Sequence, residues 1–222
     1  MKITIKAGIL IIILLVPAFV YLSLKYFGNN HYHLPKMVPI DVIEKKVNGK
    51  VVNDTVYHQI PSFNFLSTSG DTLNSTSLNG KIYVADFFFT RCGSICPKMT
   101  SQLTRVQNTF ADDNDFKILS FTVDPEHDSI DVLKSYALKY NAKASVWHFL
   151  TGEKQLIYRL AKDGFKINAL EDPNGGIEFV HSDKLILVDK NRIIRGFYDG
   201  TDPKDVDRLI TEIKVLQHEY NR

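Results

Sequence analysis

The chain is 222 residues long, with 27 Lys and Arg, 25 Asp and Glu, and two cysteines. Lys2, Lys6 and Lys25 fall in an N-terminal stretch without acids, so the rest carries 24 basic against 25 acidic side chains. A domain this close to neutrality has no electrostatic footprint for nucleic acid, and that class of partner is excluded.

The first 27 residues stand apart. Ala7 to Leu24 is an uncharged run between lysines. As a helix it would span roughly 27 Å, near the thickness of a bilayer's hydrocarbon core. Pro17 is tolerated in a membrane helix. A cleaved signal peptide is the rival, but its apolar core is usually shorter and it ends in small residues. This run ends Tyr21-Leu22-Ser23-Leu24-Lys25-Tyr26-Phe27, which is bulky. An uncleaved single-pass anchor over 1–27 is therefore expected. The first two lysines keep the N-terminus in the cytoplasm and export the rest. With no Arg- and Ser-rich transit peptide in front, a bacterial inner membrane is favoured, with the C-terminal domain in the periplasm.

Residues 28–60 are expected to form a tether and a hairpin extension. Asn29 to Pro39 is polar, and His31 and His33 read as exposed linker histidines. Asn48-Gly49, between alternating flanks at 41–53, signals a two-residue hairpin turn. Residues 61–222 are expected to be one α/β domain. It begins with a short strand at Phe63-Asn64-Phe65-Leu66 and a return over 72–78 after the turn at Gly70-Asp71. Ile82 to Phe89 is rich in β-branched and aromatic residues, the pattern of a strand buried on both faces. A helix is predicted from Pro97 to Phe110, with Cys96 as its N-cap, and a strand from Phe116 to Val123. Asp128 is predicted to cap a helix over 129–140, and Thr151 one over 153–162. A hairpin over 185–198 and an amphipathic helix after Asp202-Pro203 complete the order. That order predicts an α/β sandwich. A thiol pair on the loop after the first central strand resembles the thioredoxin fold, with 61–80 as an added N-terminal hairpin.

Cys92 and Cys96 lie four residues apart on that loop. A bridge across so short a loop removes little chain entropy, so stability is a poor reason for the pair. Thiolates at i and i+4 can face one ion. With the nitrogen of His181 they would make a soft three-donor set suited to Cu(I), or to Cu(II) with a further ligand. Structural zinc prefers four protein donors, and catalytic zinc with an open position stays as a rival. Thiol–disulfide exchange is the other alternative, although dedicated oxidoreductases on this fold use C-x-x-C. His127 reads as a solvated loop residue and His148 as partly buried beside Trp147.

Four collinear segments then carry a resemblance. Phe87 to Pro97, with its two cysteines, resembles the copper motif of the Sco/SenC family. Thr122-Val123-Asp124-Pro125-Glu126-His127-Asp128, Trp147 to Gly152 and Val180-His181-Ser182 are similar to three further family segments. Gly93 stands where a proline is usual and Ser94 where an acidic residue is common. The resemblance implies a membrane-anchored copper metallochaperone that helps assemble the binuclear copper centre of cytochrome c oxidase. It implies Cys92, Cys96 and His181 as copper ligands. The oxidase copper-centre subunit is the implied partner, beside other periplasmic copper chaperones or thiol reductants. Cys92 and Cys96 would be the catalytic pair if the protein instead reduces the cysteines of the oxidase subunit or of another exported partner. A copper or redox sensor is the third reading.

Overall fold

A computed structural model describes residues 2–27, 33–47, 49–167 and 182–220. It divides into two compact units, 1–33 and 34–222. The first holds one helix, α1 (Lys2–Phe27), with Pro17 inside it. Among the described residues no helix is long and apolar enough to cross a membrane. The described side chains of α1 are those of 8–23, about 24 Å of helix.

The second unit opens with a hairpin of β1 (Pro39–Val47) and β2 (Lys50–Tyr57), paired around Gly49 at positive φ. Only a glycine or a similarly permissive residue takes that conformation without strain. The main sheet follows. Its strands are β3 (Asn64–Ser67), β4 (Thr72–Asn74), β5 (Ile82–Phe88), β6 (Phe116–Thr122), β7 (Trp147–Thr151), β8 (Lys184–Val188) and β9 (Ile194–Asp199). They lie in the order β4-β3-β7-β6-β5-β8-β9. β5, β6 and β7 are parallel, while β8 and β3 flank them antiparallel. Every residue of β5 is buried, which is why its sequence shows no polar alternation.

Helices α2 (Ile95–Thr109), α3 (Ile130–Lys139) and α5 (Pro203–Tyr220) cover one face. Met99, Leu103, Leu133, Leu209 and Ile213 pack there against Val84 and Phe88. On the other face α4 (Lys154–Arg159) runs into a wider π turn over Leu160–Gly164, and both pack with Phe63, Phe87 and Phe121. The parallel strands all end at one edge, so the loops after β5 and β6 lie side by side there. In open sheets that edge is where sites form.

Three local expectations change. Helix α2 starts two residues before Pro97, with Ser94 as N-cap, so Cys96 lies inside the first turn. Proline is accommodated there because the first N–H groups of a helix have no intrahelical partner. Ser129, not Asp128, caps α3, its Oγ accepting from the Val132 amide. Thr151 belongs to β7, and Glu153 is the N-cap of α4.

Candidate functional site

The two cysteines are not joined in a disulfide and are both buried, Cys92 being 7% and Cys96 2% exposed. The Cys96 amide donates to Cys92 Sγ at 3.4 Å, and Ser94 Oγ lies 3.8 Å from the same sulfur. These contacts follow from the early start of α2, whose free amides at 95 and 96 face back across the loop. Burial alone would raise the Cys92 thiol. The Cys96 and Ser94 amides outweigh it and bring Cys92 down to about 7. Burial dominates at Cys96, and the neighbouring Cys92 and the Asp86 charge add to it, pushing that thiol up to about 12. Cys92 is thus the more readily ionised of the two thiols, while Cys96 keeps its proton.

The loop itself is held from the β6–α3 connection. Asp128 is buried, and its Oδ2 accepts from the Thr90 amide at 3.0 Å and from Thr122 Oγ1 at 2.5 Å. The Thr90 hydroxyl bonds Oδ1, which also lies 3.0 Å from His127 Nδ1. Arg91 pairs with buried Asp124 through Nε at 3.1 Å and through a second guanidinium nitrogen. The ligating atoms of Asp124, His127 and Asp128 lie within 4.8 Å of one another. Their carboxylates are already engaged by Arg91, Thr90 and Thr122, so the group is a brace for the cysteine loop. His127, expected to be solvated, is exposed on its outer side and bonded to Asp128 on the other.

The structure thus brings Cys92 and Cys96 together, and His181 lies outside the described residues. Sequence reasoning missed two contributors. In the sequence Asp128 reads as a cap, because an acid just before a helix commonly is one. Asp86, a charge inside the apolar run of β5, is 1% exposed and was readable as an anomaly in that run.

A paired-thiol loop at the carboxyl end of a central parallel strand, with an antiparallel hairpin and a helix after it, defines a thioredoxin-like thiol protein. The SCO1/SenC family profile matches residues 53–217. The SCO1 protein homolog of Bacillus subtilis is 33% identical over 168 residues, covering 75% of this chain and 86% of that protein. A SCO1/SenC family lipoprotein from Bacillus anthracis superposes with a TM-score of 0.64 at 30% identity, over 72% of this chain and 95% of its own. BsSco, described as a member of the Sco family of cytochrome c oxidase assembly proteins and as holding a disulfide switch, superposes with a TM-score of 0.62 at 32% identity, over 72% and 93%. The chain belongs to the SCO1/SenC family.

Proposed function

We propose that this protein is a copper metallochaperone, anchored by α1 in a bacterial inner membrane with its domain in the periplasm. In this reading Cys92, Cys96 and His181 hold one copper ion and pass it to the copper-centre subunit of cytochrome c oxidase. The observation that carries it is the pair of buried, unbridged sulfurs, one on the loop and one in the first turn of α2, a donor set that suits Cu(I). Loading displaces the remaining proton of Cys96, so affinity rises with pH. Two features support His181 as the third donor. The chain enters β8 beside the cysteine end of β5, since Ala85 pairs with Ile186 in antiparallel register. Ser182, the next residue, is buried. Support for the anchor is the uncharged sequence from Ala7 to Leu24, which extends beyond the described side chains on both sides. The membership of BsSco in a family of oxidase assembly proteins supports the recipient.

Titration of the reduced protein with Cu(I) is expected to give one equivalent bound. The Cys92–Cys96 disulfide form should bind none, because it lacks both thiolates. Unaltered affinity in His181→Ala, or in the double Cys→Ser variant, overturns the assignment.

A second reading has its own observation. The Cys96 amide donates to Cys92 Sγ and lowers that thiol, while burial raises Cys96, as suits an attacking and a resolving thiol. In that reading the protein reduces the cysteines of an exported partner. Thiol trapping in cells lacking the protein should then show the oxidase subunit shifted to its disulfide form. An unchanged redox state counts against it.

A further inference from the structure

Among the described residues β1 and β2 form a two-stranded sheet of their own, and no other strand pairs with either. A lone hairpin is marginally stable in water, and the unpaired backbone groups along its edge are a template for a further strand. This hairpin also carries apolar side chains into solvent: Ile40, Val42, Ile43, Val51 and Val52 are 46–62% exposed. The ladder fixes which backbone groups are spare. His58 donates to the Val38 carbonyl at the base, and inward and outward pairs alternate from there, with one residue added at the irregularity between Pro39 and Asp41. Asp41, Ile43 and Lys45 therefore bond inward to Val56, Asp54 and Val52, while Val42, Glu44 and Lys46 turn their amides and carbonyls outward. The Val42 amide accordingly donates to the Asp41 carboxylate, at 2.8 Å.

Charges on an edge strand ordinarily discourage pairing. Those of β1 are spaced so that an antiparallel copy of the same strand fits them. Centring two copies on Ile43 sets Val42 against Glu44 of the second copy as a hydrogen-bonded pair. Ile43 then meets Ile43, and Asp41 meets Lys45 at both ends. These last pairs are the non-hydrogen-bonded kind, whose side chains lie closest. Other registers fit worse. Centring on Glu44 opposes two carboxylates, centring on Lys45 opposes two ammonium groups, and centring on Val42 leaves Asp41 against Ile43. The middle of β2 offers no such match, since centring on Asn53 sets Val52 against Asp54 and centring on Asp54 opposes two carboxylates. Lys45 also reaches Asp54 of its own hairpin at 3.9 Å, so pairing places it between two acids. We propose that the outer edge of β1 is the interface between two copies of this chain, joining their hairpins into a four-stranded antiparallel sheet with its two-fold axis at Ile43. None of these residues belongs to the cysteine loop, and the proposal does not rest on the copper reading.

The test uses the full chain in detergent, with micelles in large excess and with Cys92 and Cys96 both replaced by Ser, so that an introduced cysteine is the only thiol. Val42→Cys, Ile43→Cys and Glu44→Cys are each oxidised mildly and read on a non-reducing gel. A disulfide needs Cα atoms within about 7 Å, a condition met only by the residue on the two-fold axis. Ile43→Cys is therefore expected to give a covalent dimer at least about tenfold faster than its two neighbours. In the Ile43→Cys chain, Asp41→Lys and Lys45→Asp each turn both ion pairs into repulsions and should each slow linkage by about tenfold. Mixing those two variants restores both pairs, and the mixed dimer should form at the unsubstituted rate. Failure of Ile43→Cys to link overturns the interface. Equal linkage at all three positions, as random collision gives, overturns it too, and so does a mixture no faster than its components. In vesicles of anionic phospholipid, a cysteine at 43 shielded from alkylation yet never linked would assign this edge to a lipid surface and overturn the second copy.

Discussion

Two sulfurs of the same residue type, four positions apart, acquire opposite character from their immediate surroundings. Cys92 receives the Cys96 amide and lies open to Ser94, while Cys96 points into the core beside Met99. Alkylation of the metal-free reduced protein by iodoacetamide should therefore follow a midpoint near pH 7, be lost in Cys92→Ser, and leave Cys96 unmodified across the neutral range. A midpoint near 9 would show that the helix-start amides do not act on the sulfur. The lowered Cys92 thiol stabilises the fold at high pH, and that contribution is lost as pH falls from about 9 through about 7. Asp86 has the opposite sign. The folded chain keeps a proton that the unfolded chain has released, so stability falls as pH rises from about 4 towards about 7. Asp86→Asn should accordingly raise the melting temperature at pH 8 and leave it unchanged at pH 4. The charge itself is visible in the run Ile82 to Phe89. Its partner is not, because only alternation in a folded strand assigns it to the face of Cys96.

At the scale of elements, the segment between β6 and α3 organises the site. Four donors converge on Asp128, two from Thr90 and one each from Thr122 and His127, and Arg91 closes on Asp124. The loop that presents Cys92 is thereby fixed to the end of β6, which already pairs with β5 through Phe88 and Thr122. Asp128→Ala would leave these buried donors without an acceptor, at a cost of about 2–4 kcal/mol. The check is urea unfolding together with amide exchange. Stability should drop, and exchange at Thr90 and Cys92 should quicken more than at α5; unchanged exchange at Thr90 would refute the brace. The acid before α3 and the D-P step were both legible, and so was a helix beginning near 129. Local capping and long-range bracing use the same residue type, however. Ser129, one position on, takes the cap and frees Asp128 to turn inward. Helix α2 starts earlier than the sequence predicts for a similar reason, since Pro97 is compatible with more than one position in a first turn.

For the whole molecule, closure depends on contacts between distant segments. Buried Arg195 donates to Asp189 at 3.0 Å, to Glu219 at 2.8 Å, to the Pro35 carbonyl at 3.2 Å and to the Leu34 carbonyl. It thereby joins the start of the domain, the β8–β9 hairpin and the end of α5. The two flanks of the β1–β2 hairpin are tied to the same region, Met37 donating to the Ile194 carbonyl and Gln59 bridging Ile193. The sequence by itself determined the apolar N-terminal helix, the order of strands and helices, the doubly buried central strand and the thiol pair at its end. Those features follow from local periodicity and composition, which act over a few neighbouring residues. Tertiary structure alone decided which thiol is acidic, that Asp128 holds the loop, and that Asp86 shares a layer with Cys96. Each of these depends on burial and on partners brought together by the sheet, and neither quantity exists until the chain has folded.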